Sequence, residues 1–170
     1  GDRALAERAD EVARLGSAII TTLQAGGIAA SGKHFPGHGD TSVDSHFELP
    51  LIEHPPDRLE AVELVPFKAA IAAGVASIMT AHILIPALDA ERPATLSPAI
   101  VTGLLKERLG YQGLVLSDDL EMKAISARYG VAEATVMAIA AGLASAGKIP
   151  FAATFSCFAL NKGFEQLRVT

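Results

Sequence analysis

Three of the five histidines in this 170-residue chain lie within one short stretch. It runs from Lys33 to His46 and reads KHFPGHGDTSVDSH, so a lysine, two aspartates, two glycines and a proline accompany the histidines. Apolar residues precede it, which predicts a short strand that ends in a loop presenting polar side chains. A solvated surface loop has a similar composition. The order of the residues favours a functional site: a charged pair at the strand end, a Pro-Gly turn, then an aspartate and a histidine separated by one serine.

Asp44 and His46 have a spacing that suits proton transfer. An imidazole titrates near neutral pH, so it can release and recover a proton within one reaction cycle. A carboxylate bonded to the other ring nitrogen fixes the tautomer and favours the charged ring. Residues two apart in an extended segment lie on the same side, which makes such a pair feasible. A single Asp-x-His pattern is weak support for any particular reaction.

Helical and strand-like segments alternate along the chain. The predicted helices cover about 4–24, 57–73, 97–109, 120–129 and 131–144, with the start of a last one at 164–169. The predicted strands cover about 28–35, 75–80, 114–116 and 150–158. Asp57 with Glu60 has the pattern of a capping box, and Ser97 that of a helix N-cap. This alternation predicts an α/β fold with parallel strands and helices on both faces of the sheet.

Several polar residues fall where predicted strands end. Lys33 and His34 follow the first strand, His82 the second and Asp118 the third. In parallel α/β folds, chemistry collects at the C-terminal ends of the strands. Two other interpretations stay open: Asp119 could simply cap the next helix, and a single histidine such as His82 is often structural.

The remaining histidines, the cysteine and the composition narrow the function further. His38 is expected to brace the loop and His54 to face solvent.

The net charge is −5 without a basic stripe, and no apolar run would cross a membrane, so we expect neither nucleic-acid nor membrane partners. The single cysteine, Cys157, excludes a disulfide within the chain. No signal peptide is visible, so the cytoplasm is the expected location. The histidines lack zinc-helix spacing, and we predict no metal and no cofactor.

The run from Lys33 to His46 resembles the signature of family 3 glycoside hydrolases, in their bacterial β-N-acetylglucosaminidase branch. The resemblance implies His46 as the general acid/base with Asp44 as its partner, and Lys33 and His34 as contacts to sugar hydroxyls. The segment SDDLEM at 117–122 resembles the nucleophile motif of the same family, which implies Asp118 as the attacking carboxylate.

The function expected from this resemblance is retaining cleavage of terminal β-linked N-acetylglucosamine, as in cell-wall fragments. His82 is a further candidate substrate contact, because it follows a strand at the same predicted edge. The partner expected is therefore an N-acetylglucosamine-containing saccharide.

The resemblance covers about residues 1–142 and corresponds to part of a TIM barrel, with about four βα units. A whole barrel needs more residues, so we expect the partial barrel to be completed by association of copies. Residues 143–170 instead resemble the pyrimidine-binding domain of transketolases, which suggests a chimera whose tail completes the same domain. Glu133 could match that family's cofactor-activating glutamate, but it also fits the hydrolase pattern, which leaves the junction open between about residues 130 and 142. Thiamine diphosphate is not expected, because the diphosphate-binding domain is missing. The alternative function is a non-catalytic chimeric scaffold that folds and associates without turnover.

Overall fold

A computed structural model describes residues 4–41, 45–46 and 48–129 of the chain. Helix α1 spans Ala9–Ala25, and strand β1 spans Ser31–Phe35. Helix α2, residues 56–72, is built from Pro56–Arg58, a π-type segment Leu59–Glu63 and Leu64–Ala72. Strand β2 is Ser77–Thr80, helix α3 is the π-type Ala99–Arg108, strand β3 is Leu114–Ser117 and helix α4 is Lys123–Tyr129. A 3-10 turn, Ala94–Leu96, precedes α3.

The three described strands form one parallel sheet in the order β1-β2-β3. Each pair of neighbouring strands is joined through a helix, which confirms the predicted α/β fold and agrees with a partial (βα) barrel. The predicted fourth strand at 150–158 and the helices at 131–144 and 164–169 lie outside the described residues. So do Glu133, Cys157 and the whole transketolase-like tail.

The core lies around the central strand, because β2 has a neighbour on each side. Ile78 and Phe35 have no exposed surface, and the ring of Phe67 in α2 meets Phe35 edge-on with centroids 5.1 Å apart. Helix α1 packs against α2, where Ser17 Oγ donates to the carbonyl of Ala69. Burial of these apolar side chains fixes the sheet and therefore the edge at which its strands end.

The two predicted helix caps have different outcomes. Ser97 is confirmed, because its Oγ accepts the N–H of Ile100 at 3.2 Å. The capping box at Asp57 is wrong: helix α2 begins one residue earlier at Pro56, whose fixed φ suits the first helical position, and no side chain caps it. Glu60 instead pairs with Lys68 and Arg108.

None of the described helices combines the length and the apolar character needed to cross a bilayer.

Candidate active site

His34 and Asp118 come together at the C-terminal edge of the sheet. His34 belongs to β1, and Asp118 directly follows the last residue of β3. His34 Nε2 lies 3.6 Å from Asp118 Oδ2, and the two side chains keep 25% and 22% of their surface exposed. Both groups therefore lie at strand ends and remain reachable by a ligand. An imidazole facing a carboxylate at this distance could orient the carboxylate and bind a hydroxyl beside it.

The two adjacent aspartates have separate hydrogen bonds. Asp118 Oδ1 accepts the backbone N–H of Asp119 at 2.9 Å, which leaves Oδ2 on the side of His34. Asp119 Oδ1 accepts the backbone N–H of Glu121 at 2.9 Å. Asp119 therefore closes a turn that precedes α4 and does not cap that helix, which begins at Lys123, whereas the Asp118 carboxylate lies at the sheet edge.

The end of β1 has an unusual backbone. The peptide bonds Lys33-His34 and Phe35-Pro36 are both cis, and the pairing with β2 is irregular between Gly32 and Phe35. Phe35 is fully buried, whereas Lys33 is exposed. The motif thus anchors an apolar ring in the core and leaves its lysine, which precedes His34 in the chain, at the surface.

Ser45 ties the loop after β1 to the segment that follows Asp118. Its carbonyl accepts the N–H of Ala124, in α4, at 3.3 Å, and its side chain is buried. Its Oγ lies 3.1 Å from His38 Nε2, while Thr41 Oγ1 lies 3.2 Å from His38 Nδ1. These contacts confirm that His38 braces the loop.

His46 is exposed. It directly follows Ser45, whose contact with α4 places this part of the loop near the segment that follows Asp118. Its predicted partner Asp44 lies outside the described residues. The pairing of Asp44 with His46 therefore stays a prediction.

His82 is brought to the same end of the sheet but has no exposed surface. Its Nδ1 lies 2.8 Å from Thr95 Oγ1, and its Nε2 lies 2.9 Å from the carbonyl oxygen of Asp119. Burial lowers the pKa of His82, and the hydrogen bond to Asp119 and the charge of Asp118 oppose that shift only in part. The predicted sugar contact by His82 does not fit this placement, because both ring nitrogens face protein atoms in the interior.

A group of charged residues beneath the motif loop was not predicted. His54 Nε2 lies 2.8 Å from Asp40 Oδ2, and the His54 side chain keeps 24% of its surface exposed, so His54 faces solvent in part and also pairs with the loop. Arg58 links Asp40, at 3.4 Å, to Glu63, at 3.1 Å. The pair of Arg58 with Asp40 joins the motif loop to helix α2 across 18 positions, and no local pattern specifies it. The prolines before α2 mark a loop but do not specify these contacts.

Within residues 4–41, 45–46 and 48–129, no group of three or more His, Cys, Asp or Glu side chains is arranged to hold a metal ion.

Relatives with the same arrangement of elements are known. The glycosyl hydrolase family 3 N terminal domain matches residues 1–146. Beta-hexosaminidase A from Pseudoalteromonas piscicida is 41% identical over 83% of this chain and 26% of its own length. The beta-hexosaminidase from Thiobacillus denitrificans is 38% identical over 84% of this chain and 39% of its own length. The chain thus spans between about a quarter and two fifths of these curated relatives.

Solved structures agree with this assignment. A family 3 beta-N-acetylglucosaminidase from a Paenibacillus species has a TM-score of 0.83 and 49% identity, covering 89% of this chain and 28% of that one. A Neisseria gonorrhoeae protein, solved in complex with N-trifluoroacetyl-D-glucosamine, has a TM-score of 0.82 and 32% identity, covering 99% of this chain and 46% of that one. Because the family domain matches well over half of the sequence, the chain belongs to glycosyl hydrolase family 3.

Proposed function

We propose that this chain carries the nucleophile and acid/base parts of a retaining β-N-acetylhexosaminidase that removes terminal β-linked N-acetylglucosamine. The proposal depends most on the pairing of Asp118 with His34: a part-exposed carboxylate at a strand end, oriented by one backbone N–H and one imidazole. Relatives named beta-hexosaminidase and beta-N-acetylglucosaminidase support the choice of sugar.

In the proposed mechanism Asp118 attacks the anomeric carbon and forms a glycosyl-enzyme intermediate. His46, assisted by Asp44, donates a proton to the departing glycosidic oxygen. It then removes a proton from the water that attacks the intermediate, so the anomeric configuration is retained. Lys33 and His34 bind sugar hydroxyls. The N–H of Asp119 holds Oδ1, so that Oδ2 is the oxygen directed towards the sugar.

Turnover of a chromogenic N-acetylglucosaminide tests this assignment. Asp118→Asn keeps the shape of the side chain and removes the nucleophile, so kcat should fall by at least about 10³-fold. Asp119→Asn is the matched control, because the amide oxygen can still accept the N–H of Glu121, and it should stay much closer to the parent chain. Equal activity of the Asp118→Asn variant and the parent chain would remove the assignment.

The role of His46 has its own test. A general acid matters most when the leaving group is a poor one, so His46→Ala should slow an alkyl N-acetylglucosaminide far more than a nitrophenyl one. His54→Ala is a suitable control, since His54 also lies near the loop but pairs with Asp40. The same loss with both substrates would argue against proton donation by His46.

A non-catalytic scaffold is the second candidate. It is favoured by the length of the chain, which spans only 26% and 39% of two of its beta-hexosaminidase relatives. Binding without turnover of the chromogenic sugar would support it, whereas turnover that depends on Asp118 would exclude it.

We also propose that copies of this chain associate. Several apolar side chains keep more than a third of their surface exposed, among them Ile28, Ile19 and Leu114. Exposed apolar surface next to sheet edges favours association, and a homo-oligomer is the form proposed. Light scattering after gel filtration tests it, and a stable monomer at high concentration would contradict it. The cytoplasm as the location, and residues 143–170 as a transketolase-like end of the same domain, stay proposals.

A further inference from the structure

We propose that His82 is a positioning residue that holds the backbone of Asp119 at its carbonyl, so that the N–H of the same residue stays aimed at Oδ1 of Asp118. The inference rests on the proposed function for its effect on turnover, but its geometric part stands on the contacts alone. Nε2 of His82 bonds to the carbonyl of Asp119, and the N–H of Asp119 bonds to Oδ1 of Asp118. One buried ring thus acts on the carboxylate through a single residue.

The direction of the bond between His82 and Asp119 follows from the atoms involved. A carbonyl oxygen only accepts, so Nε2 of His82 must carry a proton and donate to Asp119. Because burial lowers the pKa of His82, the ring is neutral near pH 7 and its Nδ1 is an acceptor. The Thr95 hydroxyl has one proton, which Nδ1 at 2.8 Å and the carbonyl of Ala81 at 2.9 Å can each accept. The bond to Asp119 fixes a single tautomer of His82.

Thr95 is itself bonded in the interior to β2, and through β2 it is linked to β3. Its Oγ1 lies 3.1 Å from Thr80 Oγ1 in β2, and Thr80 Oγ1 lies 3.2 Å from the carbonyl of Leu116 in β3. Thr80 and Thr95 are buried along with His82. Such a network is rigid when its members are satisfied. It therefore connects β2 and β3 to the turn that carries Asp118.

The position of His82 predicts an effect on the reaction rate rather than on the binding of the sugar. His82 has no exposed surface, so it contributes no sugar contact in this arrangement. The Asp119 carbonyl also accepts the N–H of Met122 at 3.1 Å, so loss of His82 loosens the turn rather than removing every restraint. A small displacement of a reacting group can cost about 100-fold in rate. We therefore expect kcat to fall while KM changes little.

Three variants test the proposal: His82→Leu removes both nitrogens, and His82→Gln supplies an amide N–H that can replace Nε2–H. Thr95→Val keeps the ring and removes the hydroxyl beside Nδ1, together with its contacts to Thr80 and the carbonyl of Ala81. With a chromogenic N-acetylglucosaminide, His82→Leu should lower kcat about 10- to 100-fold, with KM within about twofold. His82→Gln should recover most of the loss, and Thr95→Val should fall between them. Circular dichroism of each variant must first match that of the parent chain; Thr95→Val serves if His82→Leu does not fold.

Amide hydrogen exchange gives a second readout that does not need turnover. The Asp119 N–H should exchange faster in His82→Leu and in Thr95→Val, and near the parent rate in His82→Gln. Unchanged exchange and unchanged kcat in a folded His82→Leu would overturn the proposal, and so would equal losses in the Leu and Gln variants. If the parent chain shows no turnover, the proposed function fails, while the exchange of Asp119 still decides whether His82 positions it.

Discussion

Gly37, in the centre of the histidine-rich motif, is the position at which one methyl group should do most damage to the loop. Its φ is +138°, in the region that favours glycine. A Cβ built there would lie 2.8 Å from both Cβ and Cγ of Glu63. Glu63 cannot easily move away, because its Cβ belongs to helix α2 and its carboxylate is held by Arg58 at 3.1 Å.

Two costs should therefore add in Gly37→Ala. Holding alanine at this φ costs about 1–3 kcal/mol, and forcing a methyl group against α2 costs about 1–3 kcal/mol. The free energy of unfolding should fall by about 2–5 kcal/mol, allowing for partial relaxation. The substitution should also lower turnover, because the same loop carries His46.

Urea unfolding of Gly37→Ala beside Gly39→Ala is the assay. Gly39 lies in the same loop, no neighbouring atom would come within 4 Å of its added Cβ, and its φ is outside the range that favours glycine. Gly39→Ala should range from no change to a gain of about 1 kcal/mol, because it only restricts the unfolded chain. Equal stability of the two variants would refute the reasoning about Gly37 and its contact with α2.

Three further substitutions test the frame around the site. Burial opposes ionisation of Asp89, but hydrogen bonds from Ser97 Oγ and two backbone N–H groups outweigh it, so the pKa of Asp89 lies below its ordinary value. Asp89→Ala should cost about 1–3 kcal/mol at pH 7. This loss in the free energy of unfolding is complete above about pH 4 and shrinks as the pH falls through the lowered pKa of Asp89. Urea unfolding of both chains at pH 7 and pH 3 measures it, and a loss that does not depend on pH would contradict the prediction. Gln24→Ala should lower the free energy of unfolding by about 1–2 kcal/mol, because the side-chain amide accepts the N–H of Ala76 and donates to the carbonyl of Gly74, each across 2.9 Å. Thermal unfolding measures this loss, and an unchanged Tm would contradict the prediction. Gly113→Ala should cost about 1–3 kcal/mol in urea, because the methyl group would lie 2.5 Å from Cζ of a buried tyrosine ring; an unchanged unfolding midpoint would show that the ring can move aside.

The elements of the fold were largely predictable, because hydrophobic periodicity and glycine stops are local signals. Strand boundaries were less so. The apolar run that begins at Ile28 predicts a strand from that residue, but pairing begins at Ser31 and Ile28 is 59% exposed. An apolar run marks where a strand can form, whereas pairing depends on a partner that is remote in the sequence.

Some features of the candidate site could be predicted from the sequence, and others could not. The positions of His34 and Asp118 at one edge followed from the strand ends and from the family motifs. The burial of His82 did not, because a strand end specifies the edge and not whether the side chain enters the core. The contact between His54 and Asp40 also could not be predicted, since it depends on how α2 packs beneath the loop.

Covalent trapping tests the central claim most directly. An activated N-acetylglucosaminide whose ring carries a fluorine substituent slows both steps, so a glycosyl-enzyme intermediate accumulates if the leaving group departs readily. Peptide mass spectrometry of the quenched reaction should then find one fluorinated N-acetylhexosaminyl group attached to Asp118. Attachment to Asp119 or to another carboxylate, or turnover of the unmodified sugar with no adduct at Asp118, would contradict the account.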